Sequence, residues 1–409
     1  MPLAAKISAR SGTSTRGART FNVVSDGRNG EVRKRPALVY SNGYGGLGSG
    51  LMETPNGLFS AWDHALVDET GDAHIVGSGT LSGLIVAGWS DLFITGMSDD
   101  GQTCSGYGTK AGVGIRAVKL TKTTLTELTY PSGVTGSTWA YGISGDGNTI
   151  VGAGFVSATQ IMRAYKWVGV TATQIAVANS AYAGIDSGAY GVNYDGSVIC
   201  GNVARTALSG LQQGFIYRNG STTYRSLASP HNSNTYLFCV SSDGVWVGGS
   251  ATNSSTARRE ALIYNGTTEI YPDPGTSAII SGLSNDGRYS SGIYYSGPYS
   301  FFYDKTTASL TTLDVTSGYP YTIHATGISR YGNAVVGEME IDVNTYVMFR
   351  WTPSGGYENL GKIPETADGS GNVANAQFPK IGGCSALGTT VAVTQFNVST
   401  RTPAFWTPD

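Results

Sequence analysis

A turn motif that recurs seven times constrains this chain more than any other feature of its sequence. Each copy has a turn glycine, and an Asp directly precedes it in five of the seven copies. Asp-Gly between apolar runs predicts a tight hairpin, because both residues tolerate the positive φ that a two-residue primed turn needs. Successive turn glycines are 43 to 56 residues apart, and they are Gly101, Gly147, Gly196, Gly244, Gly287, Gly332 and Gly388.

The clearest copy, residues 327–361, shows what each repeat contains. An apolar segment ending in Ser leads to the turn, an apolar run follows it, and an aromatic-rich run and a short closing run complete the copy. A period in the forties with about four short strands is typical of a propeller blade. The sequence therefore predicts an all-β fold, a β-propeller with seven blades of about four antiparallel strands. The alternative is eight blades, with the region before the first repeat forming a blade of its own.

The seventh copy lacks a closing run, because only three residues follow Trp406. An incomplete last blade would leave an unpaired strand edge. We therefore expect a strand from about residues 58–94 to complete that blade and close the ring. The predicted domains are an N-terminal arm or docking segment at 1–56 and a propeller at 57–409, with repeats from about residue 95.

Composition agrees with an all-β chain. Of 409 residues, 58 are Gly, and only 13% are charged, which disfavours long amphipathic helices. Trp167, Trp351 and Trp406 recur at one position of the repeat, which favours core packing over sugar-binding platforms. No run reaches the length of a transmembrane helix, and no apolar signal-peptide segment follows Met1. We expect synthesis in a cytoplasm and no membrane association.

Charge is unevenly distributed along the chain. Residues 1–36 contain eight Lys or Arg and two acidic residues, which gives a net charge of +6. Because the whole chain has a net charge of −2, the rest of the chain carries −8. The arm is either a solvated basic segment or a segment that docks on an acidic partner or on nucleic acid. The candidate docking residues are Arg28, Arg33, Lys34, Arg35 and Pro36.

No catalytic, cofactor-binding or metal-binding residues are predicted. The four His are scattered without ligand spacing, and the four Cys occupy positions of small apolar residues in core strands. One Asp per turn, spaced around a ring, cannot chelate a single ion. Serines before the turns are expected to bond to the turn backbone, and they are Ser98, Ser144, Ser242, Ser284 and Ser329.

Two segments lengthen their repeats, and the longer one is a polar surface loop by composition. They span 363–376 and 228–235, and both are candidates for contact with a partner.

The repeat, of the form GISxDGxxVVG…AFRWTxxGG…LG, resembles the HAF-type repeats of bacterial extracellular proteins. The resemblance covers about residues 95–409 and implies the fold only.

A second resemblance lies in residues 30–40, GEVRKRPALVY, followed by a Gly-rich loop and a hairpin that leads into the propeller. This order resembles the opening of the tail nozzle proteins of short-tailed bacteriophages, also called tail tubular protein B or packaged-DNA stabilisation protein. The resemblance implies a virion protein without enzymatic activity. It implies a hexameric ring that attaches to a portal or adaptor, touches translocating DNA transiently and retains the packaged genome. The chain is shorter than many members, which leaves open whether it forms the gate.

Two other functions remain open from the sequence. One is an extracellular or cell-surface recognition propeller, and the other is a glycan-active propeller enzyme. The enzyme would need a central acidic or His cluster, because paired carboxylates are close in space rather than in sequence.

Overall fold

The computed structural model describes most of the repeat region and several strands before it. The described residues are 24–26, 31–33, 50–54, 57–62, 65–67, 73–75 and 80–407, the last with breaks at 85, 131–133, 135, 157–160, 176–184, 205–210, 226–228, 296, 298, 314–321, 343–344, 363–379 and 397–400.

The chain divides into two compact units. One comprises residues 1–79, 353–358 and 408–409, and the other comprises 80–352 and 359–407. In the first unit, β1 (Val24–Asp26) pairs antiparallel with β2 (Glu31–Arg33). A four-stranded sheet contains β3 (Gly50–Thr54), β4 (Gly57–Trp62), β5 (Ala65–Val67) and β6 (Ala73–Ile75) in chain order. The second unit begins at Thr80. The division into an arm at 1–56 and a propeller at 57–409 stays a prediction.

The second unit is a seven-bladed β-propeller, as the repeat predicts. It begins with β7 (Thr80–Gly83). Blade 1 contains β8 (Trp89–Met97), β9 (Cys104–Lys110), β10 (Gly114–Leu120) and β11 (Leu125–Glu127). Blade 2 contains β12 (Thr138–Ile143), β13 (Thr149–Val156), β14 (Ile161–Val168) and β15 (Thr171–Gln174). Blade 3 contains β16 (Ser187–Val192), β17 (Val198–Ala204), β18 (Gln212–Arg218) and β19 (Ser221–Tyr224).

The remaining four blades follow the same plan. Blade 4 contains β20 (Thr235–Val240), β21 (Val247–Asn253), β22 (Arg258–Tyr264) and β23 (Glu269–Ile270), and blade 5 contains β24 (Ala278–Leu283), β25 (Tyr289–Tyr294), β26 (Ser300–Asp304) and β27 (Ser309–Leu313). Blade 6 contains β28 (Ile323–Ile328), β29 (Val335–Asp342), β30 (Thr345–Thr352) and β31 (Gly356–Lys362). Blade 7 contains β32 (Lys380–Cys384), β33 (Val391–Phe396) and β34 (Arg401–Thr407).

The four parts of the repeat correspond to the four strands of a blade. The apolar segment before the turn forms the first strand, and the aromatic-rich run forms the third. First strands of neighbouring blades contact one another around the whole ring, from β8 through β32 and back to β8. These seven strands are therefore the innermost strands and surround the propeller axis.

The last blade is completed by a strand from the other end of the chain. β7 pairs antiparallel with β34, with Ala404 opposite Gly83 and Thr407 opposite Thr80. The backbone N–H of Leu84 extends this pairing by donating to the Pro403 carbonyl at 2.9 Å. β7 lies inside the interval 58–94 from which a closing strand was expected, and the ring has seven blades rather than eight.

The hydrophobic core lies between neighbouring blades. Ala392 and Phe405 of blade 7 pack with Ile94 and Val118 of blade 1, so burial of apolar surface joins the two ends of the ring. The three tryptophans of the repeat are buried, as expected for core residues, with Trp167 0%, Trp351 8% and Trp406 4% exposed. Within the described part of the chain, no helix is both long enough and apolar enough to span a membrane.

Candidate functional site

The seven turn glycines join the first and second strands of each blade at one end of the channel. All seven have positive φ, between 63° and 76°. The preceding aspartates do not share this conformation. Instead, the carboxylate accepts a hydrogen bond from the residue after the glycine, as in Gln102 N to Asp100 Oδ1 at 2.9 Å. The expectation of a two-residue primed turn is wrong, because only the glycine is left-handed and the Asp caps a longer turn.

A polar side chain before each turn holds its two ends together. Six serine hydroxyls accept a hydrogen bond from the backbone N–H five residues later, at 2.9 or 3.0 Å, and they are Ser98, Ser144, Ser241, Ser284, Ser329 and Ser385. In blade 3 the Asn193 side-chain oxygen replaces the hydroxyl and accepts from Val198 N at 2.9 Å. The predicted Ser242 is wrong, because Ser241 makes this bond.

The same turns are joined to one another by backbone hydrogen bonds. Asp99 N donates to Gly145 O at 2.9 Å, Asp146 N to Tyr194 O at 3.0 Å, and Ala386 N to Asp99 O at 2.8 Å. Equivalent bonds join blades 3 to 4, 4 to 5 and 5 to 6. In the part of the chain that the structure describes, six of the seven blade junctions therefore carry a turn-to-turn bond, which narrows the channel mouth.

An ion pair crosses this mouth from blade 1 to blade 6. Arg330 Nη1 lies 2.8 Å from Asp99 Oδ2, and the Arg330 guanidinium lies 4.2 Å from the Tyr194 ring of blade 3. Burial raises the pKa of Asp99, and Arg330 opposes only part of that rise. The three side chains cap the turn end of the channel.

Below the cap, the inner strand of every blade has a β-bulge at the same position. In blade 2, for example, Ala140 pairs with Gly152 and Gly142 with Val151, which leaves Tyr141 unpaired between them. Bulges redirect side chains and often mark functional sites. The seven bulge residues are Thr95, Tyr141, Tyr190, Phe238, Ser281, Thr326 and Gly382.

These bulge residues differ systematically around the ring. Blades 2 to 4 supply three consecutive aromatic rings, of which Tyr141 and Tyr190 stack with centroids 5.0 Å apart, and Phe238 meets Tyr190 edge-on at 5.8 Å. Blades 5, 6, 7 and 1 supply hydroxyls or glycine. Burial, and next the neighbouring tyrosines, raise the pKa of Tyr141 above its ordinary value.

The residue after each bulge is glycine in six blades. A Cβ on Gly142 would lie 2.4 Å from the Tyr190 carbonyl, and one on Gly191 would lie 2.7 Å from Cys239 Cα, so close approach of the inner strands requires glycine in blades 2 and 3. Blade 4 has Cys239 at this position and Gly248 opposite, whereas blade 3 has Gly191 with Cys200 opposite. Cys239 therefore occupies the position that glycine has in the other six blades.

A cavity of about 220 Å³ lies between the cap and the bulge residues. All seven inner strands line it, and their inner edges have no partner strand in the sheets described. Its wall therefore presents main-chain polar groups beside the bulge side chains. Its lining includes one acidic residue among the described residues, Asp99, which is already paired with Arg330.

The described histidines lie outside the lining of this cavity. His324 Nδ1 is 3.1 Å from Glu338 Oε1, and His231 Nε2 is 2.9 Å from Glu260 Oε2. Among the described residues, no group of three or more His, Cys, Asp or Glu side chains is placed to hold a metal ion. The described lining of the cavity offers aromatic rings, hydroxyls and main-chain polar groups, which can contact a ligand.

The predicted docking residues fall mostly outside the described part of the chain. Arg28, Lys34, Arg35 and Pro36 lie outside it, and Arg33 is the last residue of β2. The loop 363–376 also lies outside the described residues. In the other loop, residues 229–234 are described, and His231 is buried there against the Tyr271 ring, with ring centroids 4.0 Å apart.

The bulge residues were missed by sequence analysis, although a signal was present. Each lies six residues before its turn glycine and is followed by Gly, or by Cys in blade 4. An alignment of the seven repeat sequences on their turn glycines shows a position, five residues before the turn glycine, that is Gly in six copies. The same alignment shows that the residue just before this position, the bulge residue, varies among the copies.

Comparison with known proteins supports the fold only. No family model and no curated protein matches the chain. An oligogalacturonate lyase in complex with manganese is 12% identical, with a TM-score of 0.53, over 81% of this chain and 97% of that chain. A structure from a study of two prolyl endopeptidases is 12% identical, with a TM-score of 0.50, over 75% of this chain and 46% of that chain. The chain thus spans less than half of the endopeptidase, and at such identity the likeness is one of fold.

Proposed function

We propose that this chain is a structural virion protein of a tailed phage, a tail nozzle subunit that assembles into an oligomeric ring. The observation that carries the proposal is the segment GEVRKRPALVY at residues 30–40, in a chain that continues into a propeller. The order of units supports it. Two small sheets, β1–β2 and β3–β6, precede Thr80, where the propeller unit begins.

The propeller's own channel is not the conduit for DNA in this proposal. The Asp99–Arg330 pair crosses it, and the cavity beneath has a volume of about 220 Å³, far too small for a duplex. DNA would pass between subunits, along the axis of the assembled ring. Each propeller would then serve as a rigid wall element.

Charge supports a channel wall that does not adhere to DNA as the DNA slides past it. The chain after residue 36 carries −8, and five exposed turn aspartates lie at one end of the propeller. Phosphate contacts by many Lys or Arg residues would bind DNA tightly and oppose sliding. The +6 arm is assigned to docking on the portal, adaptor or neighbouring subunits.

The test is the mass of the purified protein, alone and mixed with portal and adaptor proteins from the same genome, measured by native mass spectrometry. We expect a closed ring, formed alone or on the adaptor. The variant R33E/K34E/R35E should lose incorporation into particles. The control K122E/R218E/R258E, which reverses three charges within the propeller, should retain it.

A protein that remains monomeric with these partners and is absent from purified virions would contradict the nozzle assignment. Incorporation of the R33E/K34E/R35E variant at the wild-type level would contradict the role of the arm alone. The recognition propeller is the second candidate, and the specific observation that favours it is the aromatic and hydroxyl lining of the channel cavity.

A further inference from the structure

Arg259 of strand β22 differs from other arginines of the propeller in what its terminal nitrogens contact. Eight others each place a terminal nitrogen on a protein oxygen, and they are Arg116, Arg163, Arg218, Arg225, Arg258, Arg288, Arg330 and Arg401. Arg259 instead donates from Nε to the buried Ser250 Oγ at 2.8 Å. In the described structure, its Nη1 and Nη2 have no hydrogen-bond partner, and neither atom is buried, so both are accessible to solvent.

Aromatic rings hold this guanidinium in place. Its central carbon lies 3.9 Å from the centroid of the Tyr236 ring, 5.3 Å from that of Tyr295 and 5.8 Å from that of Phe238. Arginine stacks favourably on aromatic faces, and the Nε bond to Ser250 fixes the rotation of the group. The outer edge, with the two Nη atoms, is the part left for a ligand.

This edge lies at the end of the channel opposite the turns. Tyr236 is on the innermost strand β20, two residues before the bulge residue Phe238. Tyr295 lies in the β25–β26 hairpin of blade 5, and hairpins between second and third strands are at the opposite end from the turns between first and second strands. The Tyr295 side chain is 52% exposed and offers a ring face next to Arg259.

The positive charge of Arg259 is not balanced within the described structure. None of the ion pairs of the described residues includes it. Glu260 extends from the other face of the strand, where its Oε2 lies 2.9 Å from His231 Nε2. Arg258, on that face too, donates from Nη1 to the Gly275 carbonyl. The described site therefore presents a single cation.

A carboxylate matches both the geometry and the charge of this site. Two neighbouring N–H donors of a guanidinium fit the two oxygens of a carboxylate as a bidentate pair. A phosphate monoester carries a charge of about −1.5 to −2 at pH 7, which one guanidinium would leave partly uncompensated. Aromatic walls lower the local dielectric and strengthen an ion pair relative to bulk water. The exposed Tyr295 ring favours a ligand whose carboxylate adjoins an aromatic group.

We propose that Arg259, flanked by Tyr236 and Tyr295, binds a ligand carboxylate at the channel end opposite the turns. A free aromatic acid and the C-terminal carboxylate of a peptide share this chemistry, and the test below distinguishes them. The site does not depend on the proposed assembly into a tail, because all its residues belong to one propeller.

The test is a ligand-observed NMR titration of the full-length protein with benzoate as the probe. We expect saturable binding of benzoate and about 10- to 100-fold weaker binding of neutral benzamide, the effect of losing hydrogen bonds to a charged group. Phenyl phosphate should bind no more tightly than benzoate. N-acetylphenylalanine, a model of a peptide C terminus, is titrated in parallel. Tighter binding than benzoate indicates a peptide ligand, and weaker saturable binding indicates a free acid.

Two substitutions separate the charge of Arg259 from its paired donors. R259Q should weaken benzoate binding about 10-fold or more, and R259K about 3- to 10-fold, because an ammonium keeps the charge but cannot form the bidentate pair. The control R258Q removes the exposed arginine next to it and should bind as the wild type does. Melting temperatures show which variants fold, and R259K decides the outcome if R259Q does not.

Three results would overturn the proposal. They are the absence of saturable benzoate binding, equal binding of benzoate and benzamide, and wild-type binding by R259K and every folded R259Q sample. A loss in R258Q as large as that in R259Q would also overturn it, because it would show attraction to positive charge in general. Tighter binding of phenyl phosphate than of benzoate would contradict the assignment to a carboxylate.

Discussion

At the scale of single residues, the distance between neighbouring inner strands decides which side chains the ring accepts. The position after the bulge illustrates this, because the space for a Cβ varies from blade to blade. At Gly142 a Cβ would lie 2.4 Å from a backbone carbonyl, whereas at Gly327 the nearest atom is 3.5 Å away. A backbone atom cannot move aside as the end of a flexible side chain can. Equivalent glycines of the ring are therefore not equally necessary.

This difference predicts opposite outcomes for one substitution at two equivalent positions. Gly142→Ala should lower the free energy of unfolding by about 1–3 kcal/mol, the usual cost of overpacking. Gly327→Ala should change it by about 0.5 kcal/mol or less, because the added methyl meets only ordinary contacts. Urea unfolding followed by tryptophan fluorescence measures both. If Gly142→Ala and Gly327→Ala destabilise the protein equally, close approach of neighbouring inner strands is not the reason for glycine at this position.

Individual residues also show how far the sequence could predict the structure. The turn glycines were predictable because a positive φ strongly favours glycine, so a glycine recurs at the same point of every repeat. The role of the aspartates was not, since Asp-Gly is compatible with several turn types and only the backbone angles distinguish them. The Asp99–Arg330 pair was also unpredictable, because it joins residues 231 positions apart that meet only when the ring closes. A bulge leaves no alternation signal of its own, so the channel lining emerges only when the repeats are aligned.

At the scale of elements, each blade is fastened beyond its strand ladder by side chains at the turns. In blade 5, Arg288 follows the turn glycine and reaches the β26–β27 hairpin. Its Nε and Nη2 donate to Asp304 Oδ1 and Oδ2 at 3.1 Å and 2.9 Å. The Arg288 side chain, assisted by the Thr306 N–H, lowers the pKa of Asp304 to about 2. The charged carboxylate is therefore favoured by folding.

The pH dependence of stability follows from the direction of that shift. Because the pKa of Asp304 is lower in the folded than in the unfolded chain, the stabilisation is complete above the unfolded pKa of about 3.9. It is lost as the pH falls toward 2. Asp304→Asn should thus melt below wild type at pH 7, and the difference should shrink as the pH falls from about 4 toward 2. Circular dichroism melts across this range measure the effect.

The reciprocal variant Arg288→Gln serves as the control for this pair. It should remove the same stabilisation at pH 7 and raise the pKa of Asp304 toward its usual range, which NMR titration of the carboxyl carbon can follow. A gap between wild type and Asp304→Asn that stays constant down to pH 2 would mean that the asparagine disturbs packing rather than charge.

At the scale of the whole molecule, the propeller is a ring whose closure depends on two distant parts of the chain. Blade 7 supplies three strands from its C-terminal repeat, and β7 supplies the fourth. Phe405 and Ala392 of blade 7 are also buried against blade 1, so hydrophobic packing joins the last blade to the first. The ring therefore includes residues 80–83, and among the strands described it takes none from β1–β6.

Two N-terminal truncations separate these contributions. A chain that begins at Thr80 should fold with a single cooperative transition near that of the full-length propeller, because all seven blades stay complete. A chain that begins at Leu84 should melt lower by several degrees, on the order of 2–4 °C for each kcal/mol lost. It should also aggregate more readily, since residues 404–407 of β34 would present an unpaired edge. Differential scanning calorimetry with light scattering measures both effects. Equal melting temperatures would show that the inter-blade core alone holds the ring closed, and failure of the longer chain to fold would show that the propeller needs the N-terminal unit.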